Sequence, residues 1–212
     1  MKKQTRYKKE RKKVARVMRR LYNHGLTTTS GGNVSMRINE KIFLITASAT
    51  DKGRMKWKQV GIMSVYGKNL TPGLKPSIEY ALHTNIYKRN KDVWAIVHAH
   101  PVFASSFTAM KVNINTSLTA EARAICGEPR IVPYELMGTE ELAEVVAQNT
   151  ADADVLLLEN HGIVTTGSNL LHAFDKLEVL ENAAKMTLIV EMTGKKKALG
   201  KARINQIDNI FR

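Results

Sequence analysis

Apolar residues first recur at helical spacing. Val14, Val17, Met18, Leu21 and Tyr22 form one stripe in a Lys/Arg-rich stretch, which predicts an amphipathic helix closed by His24-Gly25. The period then drops to two. Val34 to Ile38 and Lys41 to Thr46 alternate as strands, with Asn39-Glu40 between them as a hairpin turn. Gly61 to Tyr66 predicts a third strand, and Pro72-Gly73 a turn. Ser77 is placed to cap a helix from Ile78 to Arg89. Asp92 to Val97 is short and β-branched. It closes on His98-Ala99-His100 and stops at Pro101, so it reads as a strand. A short helix is expected over Ala104 to Met110 and an extended piece over Pro129 to Pro133. Thr139-Glu140-Glu141 opens another helix, with its cap and its acids at the positive end of the dipole. Val155 to Asn160 and Ile163 to Thr166 pair around His161-Gly162. Leu170, Leu171, Phe174, Leu177, Leu180, Ala184 and Leu188 make a long amphipathic helix, and the Lys-rich end beyond it carries little pattern. Hairpins interleaved with helices predict an α/β fold with a mostly antiparallel sheet, not a doubly wound parallel one.

Charge changes this picture only at the ends. The 212 residues carry a net +14. Residues 1–20 hold eleven Lys/Arg against one acid, and residues 195–212 hold six against one. The body between them is almost neutral, whereas a nucleic-acid-binding body carries a basic face of its own. Nucleic acid is therefore not the expected partner, although the ends suit loose contact with polyanions. One domain is expected over residues 1–192, with a basic C-terminal tail over 193–212. Cys126 stands alone, which leaves no disulfide framework within the chain and suits a reducing compartment. The charged start lacks the apolar stretch of a secretory signal, and no segment approaches membrane-spanning length. A cytoplasmic protein with no membrane contact is expected.

The candidate chemistry lies in the histidines. On a strand, His98 and His100 leave the same face, a few ångströms apart, as two adjacent positions around a metal ion require. His161, in Glu159-Asn160-His161-Gly162, is a third candidate. Three neutral imidazoles with an open position make a catalytic zinc site. Glu79, near a helix start, offers a carboxylate for metal or proton, and it also reads as an i,i+4 surface partner of His83. Gly31-Gly32-Asn33, Thr46-Ala47-Ser48 and Pro76-Ser77 place small or hydroxyl residues in turns, where backbone N–H groups can cradle a phosphate. Neither a Walker A pattern nor a Gly-x-Gly-x-x-Gly occurs, so no nucleotide cofactor is expected.

Together, Gly31-Gly-Asn-Val-Ser35, Ile45-Thr46, Pro76-Ser-Ile-Glu-Tyr-Ala-Leu-His83, Val97-His-Ala-His-Pro101 and Leu157-Leu-Glu-Asn-His-Gly162 resemble the class II aldolase/adducin family, in its order and spacing from about residue 10 to 192. The resemblance implies a three-layer α/β/α fold and a homotetramer with active sites between subunits. It implies Zn²⁺ on His98, His100 and His161, with Glu79 as resting ligand and acid/base. It places Gly32, Asn33, Ser48, Ala49, Ser77 and Ile78 at the substrate phosphate. Two of these depart from the aldolases: Ala49 stands where Gly is common, and Ile78 where a second Ser is common. The segment Thr116–Glu121 lacks the aldolase proton-donor Tyr. Thr119 stands near its place, and Glu121, the nearest titratable group, reads either as the second acid/base or as a surface helix glutamate. The activity implied is retro-aldol cleavage of a ketose 1-phosphate, such as fuculose 1-phosphate, to dihydroxyacetone phosphate and an aldehyde. Methylthioribulose-phosphate dehydration and ribulose-phosphate 4-epimerisation are alternatives at the same metal. A non-catalytic adducin-like scaffold is the alternative of another kind.

Overall fold

In the computed structural model, residues 6–211 are described; the first five residues of the basic N-terminal run and Arg212 lie outside them. The strands are β1 (Asn33–Asn39), β2 (Ile42–Thr46), β3 (Val60–Ser64), β4 (Ala95–Ala99), β5 (Arg130–Val132), β6 (Val155–Leu158) and β7 (Gly162–Gly167). They form one sheet in the order β3-β2-β1-β4-β7-β6-β5, antiparallel except between β5 and β6. Helices α1 (Lys8–Asn23), α3 (Val102–Phe107), α4 (Ala120–Cys126) and α6 (Leu170–Thr193) lie on one side, and α2 (Tyr80–Arg89) and α5 (Glu140–Asn149) on the other. The expected three-layer α/β/α architecture is the one observed.

Strand alternation divides the core in two. Val34, Leu44, Val97, Leu157 and Ile163 pack towards α1 and α6. Phe43, Ile45, Ile96, Leu156 and Val164 pack towards α2 and α5. All five β4 residues are buried. Ile96 faces α2, so His98, two residues on, continues that face towards the start of α2.

Besides α4, where the sequence pattern predicts no helix, three elements depart from the pattern. The first is α2, which begins at Tyr80, with Glu79 and not Ser77 in the cap position. The Ser77 N–H donates to the Thr46 carbonyl (3.3 Å), and Ala47 bridges Pro76, so the segment stays extended along β2. Tertiary pairing here delays the helix, although Ser77 Oγ still accepts from the Glu79 N–H (3.3 Å). The second is α3, which starts early, at Val102. Buried Glu181 on α6 accepts from the N–H groups of Phe103 (3.2 Å) and Ala104 (2.8 Å), satisfying donors that a helix start leaves open. The third is the basic C-terminal segment, which holds α7 (Lys201–Phe211), an element absent from the sequence reading. It buries no residue, so no apolar stripe announced it. Arg123 ties it to α4 through a bidentate contact with Asp208 (2.8 and 2.6 Å). Among the described residues, no helix is long and apolar enough to cross a membrane.

Candidate metal and acid/base centre

The three histidines converge. Ligand atoms of His98, His100 and His161 all lie within 4.8 Å of one another. His98 sits near the end of β4, and His100 one residue beyond it. His161 occupies the turn joining β6 to β7, entered through Asn160 at φ 52°, a left-handed conformation that Asn tolerates. Ala99 pairs with Ile163, so this turn stands beside the end of β4. His100 is wedged between glycines. A methyl group on Gly162 would fall 2.3 Å from its ring, and one on Gly31 would fall 3.0 Å from Nδ1.

Glu79 completes the group. Its Oε2 lies 3.3 Å from His98 Nε2, and its Oε1 lies 3.3 Å from His161 Nε2. Asn33 Nδ2 donates to Oε2 at 2.8 Å. His98 Nδ1 is 2.9 Å from the Ile163 carbonyl, which only accepts, so Nδ1 carries the proton. Nε2 of neutral His98 then points its lone pair at His100 Nε2, 3.2 Å away. His161 Nδ1 is buried with no hydrogen-bond partner in the chain. Facing imidazole lone pairs beside a carboxylate, one ring oriented by a backbone carbonyl, form the donor set that a borderline divalent ion takes. The residues fit zinc.

With no ion bound, the electrostatics instead favour a second proton on His98, on Nε2 towards Glu79, in the place an ion would take. Burial alone would raise the Glu79 carboxyl, but the charges of His98 and His161 and the hydrogen bonds from His98 and Asn33 hold it well below the usual carboxylate range. Burial, then the charge of His98, pushes His83 down to about 3. Burial, then His98 and His161, pushes His100 down to about 3. Burial, then His98, pushes His161 down to about 4. His98 itself moves up: burial opposes its charge, and the charge and hydrogen bond of Glu79 outweigh that.

A pH dependence follows. The unfolded chain protonates His83, His100 and His161 near about 6.5. From there down to the folded values, the unfolded state binds more protons, so stability falls as pH falls. Glu79 adds to the loss as pH drops through the carboxylate range. His98 acts oppositely, but in a separate window above the ordinary histidine value. The melting temperature of metal-stripped protein should fall by roughly 10 °C or more between pH 7 and pH 4. A flat profile in thermal melts would contradict the assignment of neutral His83, His100 and His161.

The remaining candidates divide. Thr46–Ser48 and Lys75–Ser77 run side by side, since Ser48 N donates to the Lys75 carbonyl (3.0 Å). Gly32, at φ 68°, packs so closely on His98 that a side chain there would come within 2.7 Å of its carbonyl. The turn containing Gly32 thus packs on His98, while the segments holding Ser48 and Ser77 pair with each other, Ser77 standing two residues before Glu79. Ala49 adopts φ 50°, where the glycine common in the aldolases would be unstrained. Ile78 is 48% exposed. The Asn33 side chain turns away from the turns, to Glu79 and His83. Glu121 is exposed in the first turn of α4, in the layer opposite α2, and it is not brought to the imidazoles within the chain. Sequence reasoning missed Ser35, His83 as a buried residue, and Tyr87.

Comparison with known proteins agrees with this fold. A sequence model described as the Class II Aldolase and Adducin N-terminal domain matches residues 12–188. An L-fuculose phosphate aldolase of Methanocaldococcus jannaschii is 35% identical over 85% of this chain and 96% of its own. A 3-oxo-tetronate 4-phosphate decarboxylase of Haemophilus influenzae is 32% identical over 79% of this chain and 81% of its own. A solved L-fuculose 1-phosphate aldolase superposes with a TM-score of 0.87 at 27% identity, covering 95% of both chains. A match over most of its length, with relatives a third identical, makes this chain a member of the class II aldolase and adducin family.

Proposed function

We propose that the protein is a zinc-dependent lyase that cleaves a carbon–carbon bond in a small ketose 1-phosphate of the fuculose 1-phosphate kind, giving dihydroxyacetone phosphate and an aldehyde. The observation that carries this reading is the meeting of three imidazoles with one buried carboxylate. Zinc held by His98, His100 and His161, with Glu79 as a resting ligand, would supply Lewis-acid polarisation of the substrate's oxygens. The rest falls to the chain. The C4 hydroxyl loses its proton, the C3–C4 pair passes to the three-carbon fragment, and C3 gains a proton. Glu79 delivers that proton to C3, since it is the carboxylate set among the imidazoles. Glu121 from an adjoining copy, or a water, takes the proton from the C4 hydroxyl. Gly32, Ser48 and Ser77, with the backbone at Ala49 and Ile78, hold the phosphate.

Assembly fits this scheme. Ile78, Val102, Phe103, Tyr134, Leu136 and Met137 are large apolar residues left exposed, and they flank the site residues in sequence or contact. Their exposure supports a surface that is covered by further copies in a homotetramer with shared active sites.

Decarboxylation of a 3-oxo-tetronate 4-phosphate is the second reading. It leaves the same three-carbon fragment for Glu79 to protonate, and it needs no base at a C4 hydroxyl. The distance of Glu121 from the imidazoles within one chain favours it, as does the decarboxylase relative.

The test is a screen of ketose 1-phosphates and of 3-oxo-tetronate 4-phosphate for release of dihydroxyacetone phosphate, with and without chelator, alongside elemental analysis and light scattering. About one zinc per chain, chelator-sensitive turnover and a tetramer's mass are expected. Metal-free protein after zinc-replete preparation would favour a non-catalytic scaffold.

A further inference from the structure

Behind Glu79 a line of buried polar groups continues away from the imidazoles. Asn33, His83, Ser35 and Tyr87 are each at most 1% exposed. His83 Nε2 meets Asn33 Oδ1. Ser35 Oγ lies 2.6 Å from His83 Nδ1 and 2.7 Å from the Tyr87 hydroxyl. Two periods bring these groups together. Asn33 and Ser35 are two apart on β1. Glu79, His83 and Tyr87 are four apart along α2 and its cap.

One end fixes every bond in the line. An ionised carboxylate only accepts, so Asn33 turns its NH₂ to Glu79 and its carbonyl oxygen to His83. His83 must then donate from Nε2. A neutral imidazole has a single N–H, so Nδ1 accepts from the Ser35 hydroxyl, whose oxygen accepts from Tyr87. The opposite order would set the Asn33 carbonyl against the carboxylate, oxygen to oxygen.

We propose that His83 is a positioning residue. As the Nε2–H tautomer it locks the Asn33 amide, and the amide fixes one oxygen of Glu79 beside the imidazoles. The Asn33 side chain is thereby engaged with the carboxylate. The inference rests on Glu79 as the acid/base of the proposed lyase. It explains why a histidine four residues into α2 is wholly buried instead of pairing with Glu79 on the surface.

Two measurements test it. Long-range ¹H–¹⁵N spectra of histidine-labelled protein should show His83 with a protonated, slowly exchanging Nε2 and a pyridine-like Nδ1. Asn33→Leu should abolish that preference. In kinetics, His83→Leu should lower kcat by about 10- to 100-fold while KM stays within about threefold. His83→Gln, whose amide keeps a donor near the place of Nε2, should recover most of the loss. An Nδ1–H tautomer in the wild type overturns the proposal. So does a Leu variant that loses KM and not kcat, or a folded Gln variant no better than Leu. Should His83→Leu fail to fold, the wild-type spectrum and the Gln variant still decide. Absence of wild-type turnover on any sugar phosphate would instead sink the lyase reading, and the spectrum would still report the tautomer.

Discussion

His98→Ala is expected to strip the metal from the protein and to lower kcat/KM for sugar-phosphate cleavage by at least about 10³-fold. Of the three imidazoles, His98 is the one sealed completely from solvent. It is also the one whose tautomer is set by a backbone carbonyl, that of Ile163. It touches both neighbouring functions, with Nε2 3.2 Å from His100 and 3.3 Å from Glu79. Its loss would therefore remove a proposed ligand atom, the neighbour of the second, and the group that does most to favour the ionised form of Glu79. Truncation also empties a buried ring and leaves the Ile163 carbonyl without this donor, costing on the order of 2–4 kcal/mol of stability. Thermal melts must accompany the assay so that unfolding is not counted as lost chemistry. His172→Ala serves as control, since that imidazole is exposed at the start of α6, where its Nδ1 meets Ser168 Oγ (2.8 Å). Zinc near one per chain in folded His98→Ala, with turnover within about tenfold of wild type, would refute the metal centre.

Much of this centre was legible because β-strands have a simple period. His98 and His100 share a side whatever the rest of the chain does, and Ile96, two residues earlier, shows which core that side joins. The turn at His161-Gly162 was legible as a turn, and the reason for its glycine was not: the His100 ring leaves no room there for a side chain. Glu79 was legible as a helix-start carboxylate. Its helix was placed too early because Ser77 has the chemistry of a cap, while the Thr46 carbonyl and the bridge to Ala47 hold that residue extended. Glu79 and His83 looked like a surface pair at i,i+4. In the fold both point inward, and Asn33 stands between them. Ser35 read as an ordinary polar position of an alternating strand, although its side is wholly buried against α2. Such groups gain meaning only from partners on other elements, and no local pattern encodes those. Helices α4 and α7 escaped for a related reason. One is short and capped by Thr119, and the other buries nothing.

Glu79→Gln is the substitution that isolates proton transfer from metal binding. The amide keeps the length of the side chain and an oxygen that can accept from Asn33 Nδ2, so the packing around α2 survives. It removes the negative charge and the ability to carry a proton between oxygen and carbon. The expected result is folded protein that retains zinc on its three imidazoles, with kcat lowered by about 10²- to 10⁴-fold and KM changed far less. A half-reaction sharpens the test. Wild-type protein given dihydroxyacetone phosphate alone, in deuterated water, should exchange one hydrogen on the hydroxymethyl carbon, because the proton that Glu79 delivers during cleavage is removed in the reverse sense. That exchange is common to the aldolase and decarboxylase readings, so it probes the carboxylate without assuming the other product. In Glu79→Gln it should disappear, although the same compound still binds. Exchange at the wild-type rate would mean that another group moves the proton. Glu79 would then be left as a metal ligand alone, oriented by Asn33 but taking no part in the chemistry at carbon.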